Sequence, residues 1–94
     1  MSIPSNEKFT ELQGQYLAFI HCYSLINRRP PAEADFQAFF EVMPPTVHRM
    51  VIELESRGLI RRTPRQARSI ELCVAVGDIP QLRRHTINSS VARY

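Results

Sequence analysis

The residues most able to do chemistry here are arginines, and they are unevenly spread. Eleven of the twelve basic residues are arginine, and most follow Arg49. Between Arg57 and Arg68 the chain carries five arginines and no acid. A guanidinium is a rigid fork of donors that fits phosphate oxygens, or the O6 and N7 edge of guanine, two bonds at a time. A run of charge is ordinarily a solvated surface. Arg61, Arg62, Arg65 and Arg68, however, crowd one short stretch where self-repulsion opposes them unless an anion is expected, so phosphate contact is the stronger reading. Just upstream, His48 and Arg49 sit side by side with Thr46 before them; together these can reach base edges or phosphates. Arg28 and Arg29 form a third basic pair, equally suited to a phosphate backbone or to plain solvation.

Other chemistries are poorly supplied. His21, Cys22, Cys73 and His85 lack the spacing of metal ligands, so the thiols are expected in the core and no metal or cofactor is implied. No local nucleophile–base arrangement can be assembled, and an enzyme is not expected. No pocket for a small-molecule ligand is signalled either. Two distant, unpaired cysteines without a signal peptide suggest a reduced, cytoplasmic setting. No apolar run approaches the roughly 20 residues that cross a bilayer. At 94 residues, 44% of them hydrophobic and 22% charged, the chain suits one small globular domain.

Three helices and a hairpin must position these side chains. Thr10-Glu-Leu-Gln13 has the form of a capping box. Behind it Leu12, Tyr16, Phe19, Ile20, Tyr23 and Ile26 recur at helical spacing, which predicts a helix from Glu11 to Ile26. Gly14 weakens it by roughly 1 kcal/mol relative to alanine. Asn27-Arg-Arg-Pro-Pro31 ends it, because a residue before proline is pushed to extended geometry. A short helix from Ala32 to Phe40 follows, with Ala34, Phe36, Phe39 and Phe40 inward and its start poorly capped. Glu33 and Asp35 in its first turn suit the positive end of the helix dipole.

Pro44 and Pro45 open a third helix, Pro44 to Arg57, since amides of a first turn have no intrahelical acceptor to lose. Val47, Met50, Val51 and Leu54 form its apolar stripe, and Gly58 supplies a left-handed stop. Leu59 to Thr63 and Arg68 to Val74 then read as two strands joined by Pro64-Arg-Gln-Ala67. In the second strand Ile70, Leu72 and Val74 alternate with Ser69, Glu71 and Cys73. The division expected is a loose arm over 1–9, a folded unit over 10–76, and a tail over 77–94 that has one short helix at most and is available for self-association. The fold class is mainly α with a small antiparallel β-hairpin, a winged helix-turn-helix of three helices plus wing.

From Phe9 to Cys73 the chain resembles the N-terminal DNA-binding domain of LexA-type repressors. The matching pieces, in order, are T-x-x-Q opening the first helix, the Arg29-Pro30-Pro31 break and Pro44-Pro-Thr-Val-His-Arg49. After them come Leu54-Glu-Ser-Arg-Gly-Leu-Ile-Arg-Arg62 and Ala67-Arg-Ser-Ile-Glu71. The resemblance implies a recognition helix in the major groove whose DNA-facing start holds Met43, Pro45, Thr46, His48 and Arg49. It also implies a wing around residues 63–68 on the backbone. The chain departs from that pattern at Phe40-Glu-Val-Met43, where the family usually has a glycine and a serine-rich turn. LexA repressors also carry a self-cleaving domain that uses a serine–lysine pair. The only lysine here is Lys8, so self-cleavage is not expected.

The expectation is sequence-specific binding of double-stranded DNA by a small transcriptional repressor. Its recognition helix is 44–57 and its wing 59–74, and it acts as a homodimer on a two-part site. Thr46, His48 and Arg49 would read bases; Arg28, Arg29, Arg61, Arg62, Arg65 and Arg68 would hold the DNA backbone. The alternative is a protein-interaction adaptor of the same fold, with Phe40, Val42 and Met43 as an exposed apolar contact.

Overall fold

A computed structural model describes residues 8–83. Its order is α1 (Glu11–Asn27), α2 (Glu33–Phe40), α3 (Pro44–Ser56), β1 (Ile60–Arg61), β2 (Glu71–Leu72) and a 3-10 turn at Val76–Asp78. The strands pair antiparallel in one two-stranded sheet, with Ile60 opposite Leu72 and Arg61 opposite Glu71. This is the three-helix winged arrangement expected. Residues 1–7 of the arm and 84–94 of the tail lie outside the described residues.

The capping box forms as read: Thr10 Oγ1 accepts from Gln13 N at 3.1 Å, and Gln13 Oε1 from Thr10 N at 2.9 Å. The start of α2 is better finished than Ala32 suggested, because Asp35 Oδ2 accepts from the Ala32 amide at 2.8 Å. At the end of α3, Gly58 takes φ 76°. Its amide bonds to Glu55 O at 3.0 Å, and that of Leu59 to Leu54 O at 3.0 Å, closing a Schellman motif over two buried leucines. α2 ends on a left-handed Glu41, φ 57°, with the amides of Glu41 and Val42 both bonding to Gln37 O, the latter at 3.3 Å.

The core is an aromatic stack between α1 and α2, closed by α3. Tyr16 lies flat on Phe40 with ring centroids 4.4 Å apart and on Phe36 at 5.3 Å; Phe19 meets Phe36 at 5.0 Å. Burial pushes the Tyr16 hydroxyl pKa above its usual value. Val47, Val51 and Leu54 are fully buried from α3, each stabilising the docking by about 1.5–3 kcal/mol.

Several expectations on burial are corrected. Leu12, Ile26 and Ala34 are exposed, whereas every residue from Gln13 to Ile20 is buried. This stretch of α1 is enclosed because Phe9 and the segment after the 3-10 turn pack on it at Gly14 and Gln15. A Cβ on Gly14 would stand 3.0 Å from both Phe9 Cε1 and Pro80 Cγ, so this glycine permits a close approach. Buried Gln15 completes that seam: its Nε2 donates to Gln81 O at 2.9 Å, and its Oε1 accepts from Arg83 N at 2.8 Å.

The ladder is shorter than the alternation suggested. Beyond Arg61 the Ser69 hydroxyl substitutes for main-chain pairing, accepting from Thr63 N at 2.9 Å, and Arg68 turns left-handed at φ 55°. Cys22 is half-buried and Cys73 exposed, both as free thiols, so Cys73 is not a core residue. Phe40 is buried and Val42 half-buried against the core, leaving Met43, 69% exposed, as the one open member of the apolar trio.

Candidate nucleic-acid interface

α3 is held down along Val47, Val51 and Leu54, at positions i, i+4 and i+7, so its opposite face is fixed outward. That outer face carries Pro45, Arg49, Ile52 and Ser56, with Thr46 on one flank and His48 on the other; all are exposed. No side chain caps the helix start, where Thr46 N and Val47 N bond to Met43 O at 3.0 and 3.4 Å. Arg49 has no acidic partner among the described residues.

The wing arginines do not form the acid-free field that the linear sequence suggests. Acids that flank the run, Glu55 and Glu71, and two more distant ones, Glu33 and Asp35, fold against them. Arg61 Nε meets Glu71 Oε1 across the ladder at 2.6 Å, and this hydrogen bond is the main reason its pKa is raised. Arg62 forks onto Glu55 Oε1, with Nε at 3.2 Å and Nη2 at 2.8 Å, and its Nη1 lies 3.6 Å from Glu33 Oε2. It thereby ties the wing to α2 and α3. Arg68 Nη1 reaches Tyr23 Oη at 3.1 Å, Pro30 O at 3.2 Å and Asp35 Oδ2 at 3.1 Å. Its guanidinium also sits 5.9 Å from the Tyr23 ring centroid. The bond to Tyr23 leads the causes that raise its pKa.

What remains is a smaller set. Arg28, Arg29, Arg49 and Arg65 are exposed and make no ion pair among the described residues. Arg28 occupies the left-handed C-cap of α1 at φ 61°. Arg65 stands at the wing tip, in a turn closed by Gln66 N to Thr63 O at 3.2 Å. With Pro64 before it and φ 61° at its own position, that turn has the signature of type II.

His48 is engaged but not buried: Nδ1 lies 3.3 Å from Glu33 Oε2. Glu33 and Asp35 are thus the residues that the sequence undervalued, having been read only as dipole partners. Two acids opening a helix ahead of an arginine-rich hairpin were the available signal. Among the described residues no group of His, Cys, Asp or Glu gathers as a metal site, and no helix is long and apolar enough to cross a membrane.

The chain is 39% identical over 66 residues to the LexA repressor of Thermosipho melanesiensis, and 35% identical over 66 residues to that of Thermosipho africanus. Each match covers 70% of this chain and 33% of the relative, so the chain spans about a third of the length of the curated relatives it matches. The resemblance to LexA repressors read from the motifs therefore holds. No protein-family model and no solved structure matches the chain.

Proposed function

We propose that this chain binds double-stranded DNA in a sequence-dependent way and acts as a transcriptional repressor. The observation that carries the reading is a helix fixed by its buried stripe with Thr46, His48 and Arg49 outward, in a chain whose Arg28, Arg29 and Arg65 are exposed and free of ion pairs among the described residues. α3 enters the major groove, where Arg49 takes guanine O6 and N7 and Thr46 meets a phosphate or a thymine methyl. Exposed Ile52, one turn on from Arg49, adds an apolar contact of the kind thymine methyls accept. Arg28, Arg29 and Arg65 neutralise phosphates. Arg61, Arg62 and Arg68 hold the wing in position and reach DNA only where their carboxylate partners allow. A single domain of this size touches few phosphates, so two copies on a two-part site supply the affinity. The adaptor reading loses most of its surface, since Phe40 and Val42 lie against the core.

Titrating labelled duplex DNA at several salt concentrations tests this. The logarithm of affinity is expected to fall with the logarithm of salt at about −0.9 per phosphate neutralised. Salt-insensitive or absent binding to a pool of genomic fragments rejects the proposal. For the base-reading role, Arg49→Ala should cost more on the preferred sequence than on random DNA; equal losses remove that role.

A further inference from the structure

We infer that Glu33 is the positioning residue that decides which base edge His48 reads, an inference resting on the DNA reading above. His48 Nδ1 lies 3.3 Å from Glu33 Oε2. A carboxylate accepts hydrogen bonds and donates none, so the ring proton sits on Nδ1 and points at Glu33. In the neutral form of the ring the lone pair is then on Nε2, across the ring from the carboxylate. The His48 side chain is 60% exposed, which leaves that atom open to a partner outside the fold.

An outward lone pair accepts but cannot donate. In the major groove it complements the amino groups of adenine N6 or cytosine N4. Guanine O6 and N7 and thymine O4 are acceptors, and would set lone pair against lone pair. Arg49, the next residue, has the opposite chemistry, with donors only. The two neighbours therefore divide the work: Arg49 selects guanine, and His48 selects an amino-bearing base.

The charged groups around the ring hold this arrangement. Glu33 comes from α2. Arg62, beyond β1, approaches the same Oε2 at 3.6 Å, and Glu55 of α3 anchors Arg62 at 2.8 Å. Besides His48, Glu33 thus has one cationic partner among the described residues, itself anchored on α3, and the ring orientation follows from the tertiary fold rather than from α3 alone.

The test begins with selection of bound sequences from a randomised duplex pool by the wild-type chain, His48→Ala and Glu33→Gln. The base whose selection disappears in His48→Ala marks the contact. It is then replaced by an analogue lacking only the amino group, purine for adenine or 2-pyrimidinone for cytosine. The wild type should bind the analogue about ten-fold more weakly, and His48→Ala should lose about two-fold or less. Glu33→Gln offers a donor as well as an acceptor to Nδ1, so both tautomers form and guanine becomes admissible at that position. A purely structural role for Glu33 would weaken all sequences alike and leave the preference intact, and that result overturns the inference. So does selection of guanine or thymine by the wild type at the His48-dependent position, or an equal analogue penalty in His48→Ala. In each of those cases salt-dependent, sequence-selective binding persists. Its absence would instead overturn the DNA reading, and this inference with it.

Discussion

Arg65 and Arg68 lie three residues apart in the wing, and both adopt left-handed backbone, at φ 61° and 55°. One has three hydrogen-bond partners from α1, α2 and the turn between them; the other has no ion pair. A left-handed conformation costs a non-glycine residue about 1–2 kcal/mol. At Arg68 the side-chain bonds to Tyr23, Pro30 and Asp35 offset that cost, so the residue reads as a clamp that sets the angle of the wing. Nothing within the described residues offsets it at Arg65. A glycine would fit that turn better, and keeping an arginine there makes sense if its charge is used outside the fold. Similar sequence in one hairpin thus separates into structure and candidate contact. Between these two arginines the sorting is done by Asp35 of α2 together with Tyr23 and Pro30.

The largest expected effect falls on the unpaired set. Replacing Arg28, Arg29 and Arg65 together by alanine should flatten the log–log salt slope by up to about 2.7, which is roughly 500-fold in affinity at 0.1 M salt. Thermal unfolding should barely move. A large fall in melting temperature with the slope intact would reverse the assignment of roles. Next comes Arg68→Ala, which should lower the melting temperature clearly while changing the salt slope little; Arg68→Lys should not restore it, because an ammonium cannot reproduce the planar fork. Arg65→Gly sharpens the contrast further. Stability should rise by up to about 1 kcal/mol as the turn relaxes, while affinity for DNA falls by roughly eight-fold for one lost phosphate contact. Arg68→Gly, the same exchange at the partnered site, should lose stability instead. Smallest is Glu41→Gly, a control for backbone relief alone: it should gain about 0.5–1 kcal/mol in chemical denaturation and leave binding unchanged.

The helices were legible because their signals are local. The Thr10–Gln13 box, the proline breaks and the stripe Val47, Val51, Leu54 each act within one or two turns, and all three helices stand where those signals put them. The hairpin was legible in kind but overextended, because strand alternation does not reveal that Ser69 would bridge to Thr63 and end the ladder. Gly14 shows the opposite failure. Its helix penalty was visible, while its benefit depends on Phe9 and Pro80 meeting from opposite ends of the chain. The site was half legible for the same reason. That arginines gather after Arg57 is plain in the sequence; that Glu33, Asp35, Glu55 and Glu71 engage three of them is a fact of tertiary structure.

The Gln15 seam has one more consequence, for how far charge can be felt across the molecule. Gln15 fixes the chain at residues 81 and 83, and Arg83 Nη2 pairs with Glu11 Oε2 at 2.9 Å, all at the first turns of α1. Arg28 and Arg29 follow the other end of that 17-residue helix, about 25 Å away at 1.5 Å per residue. The screening length at physiological salt is about 8 Å. α1 therefore acts as a spacer, and the salt solution around it does the screening. Charge added or removed beside Arg83 is screened across some three Debye lengths before it reaches the arginines at the far end.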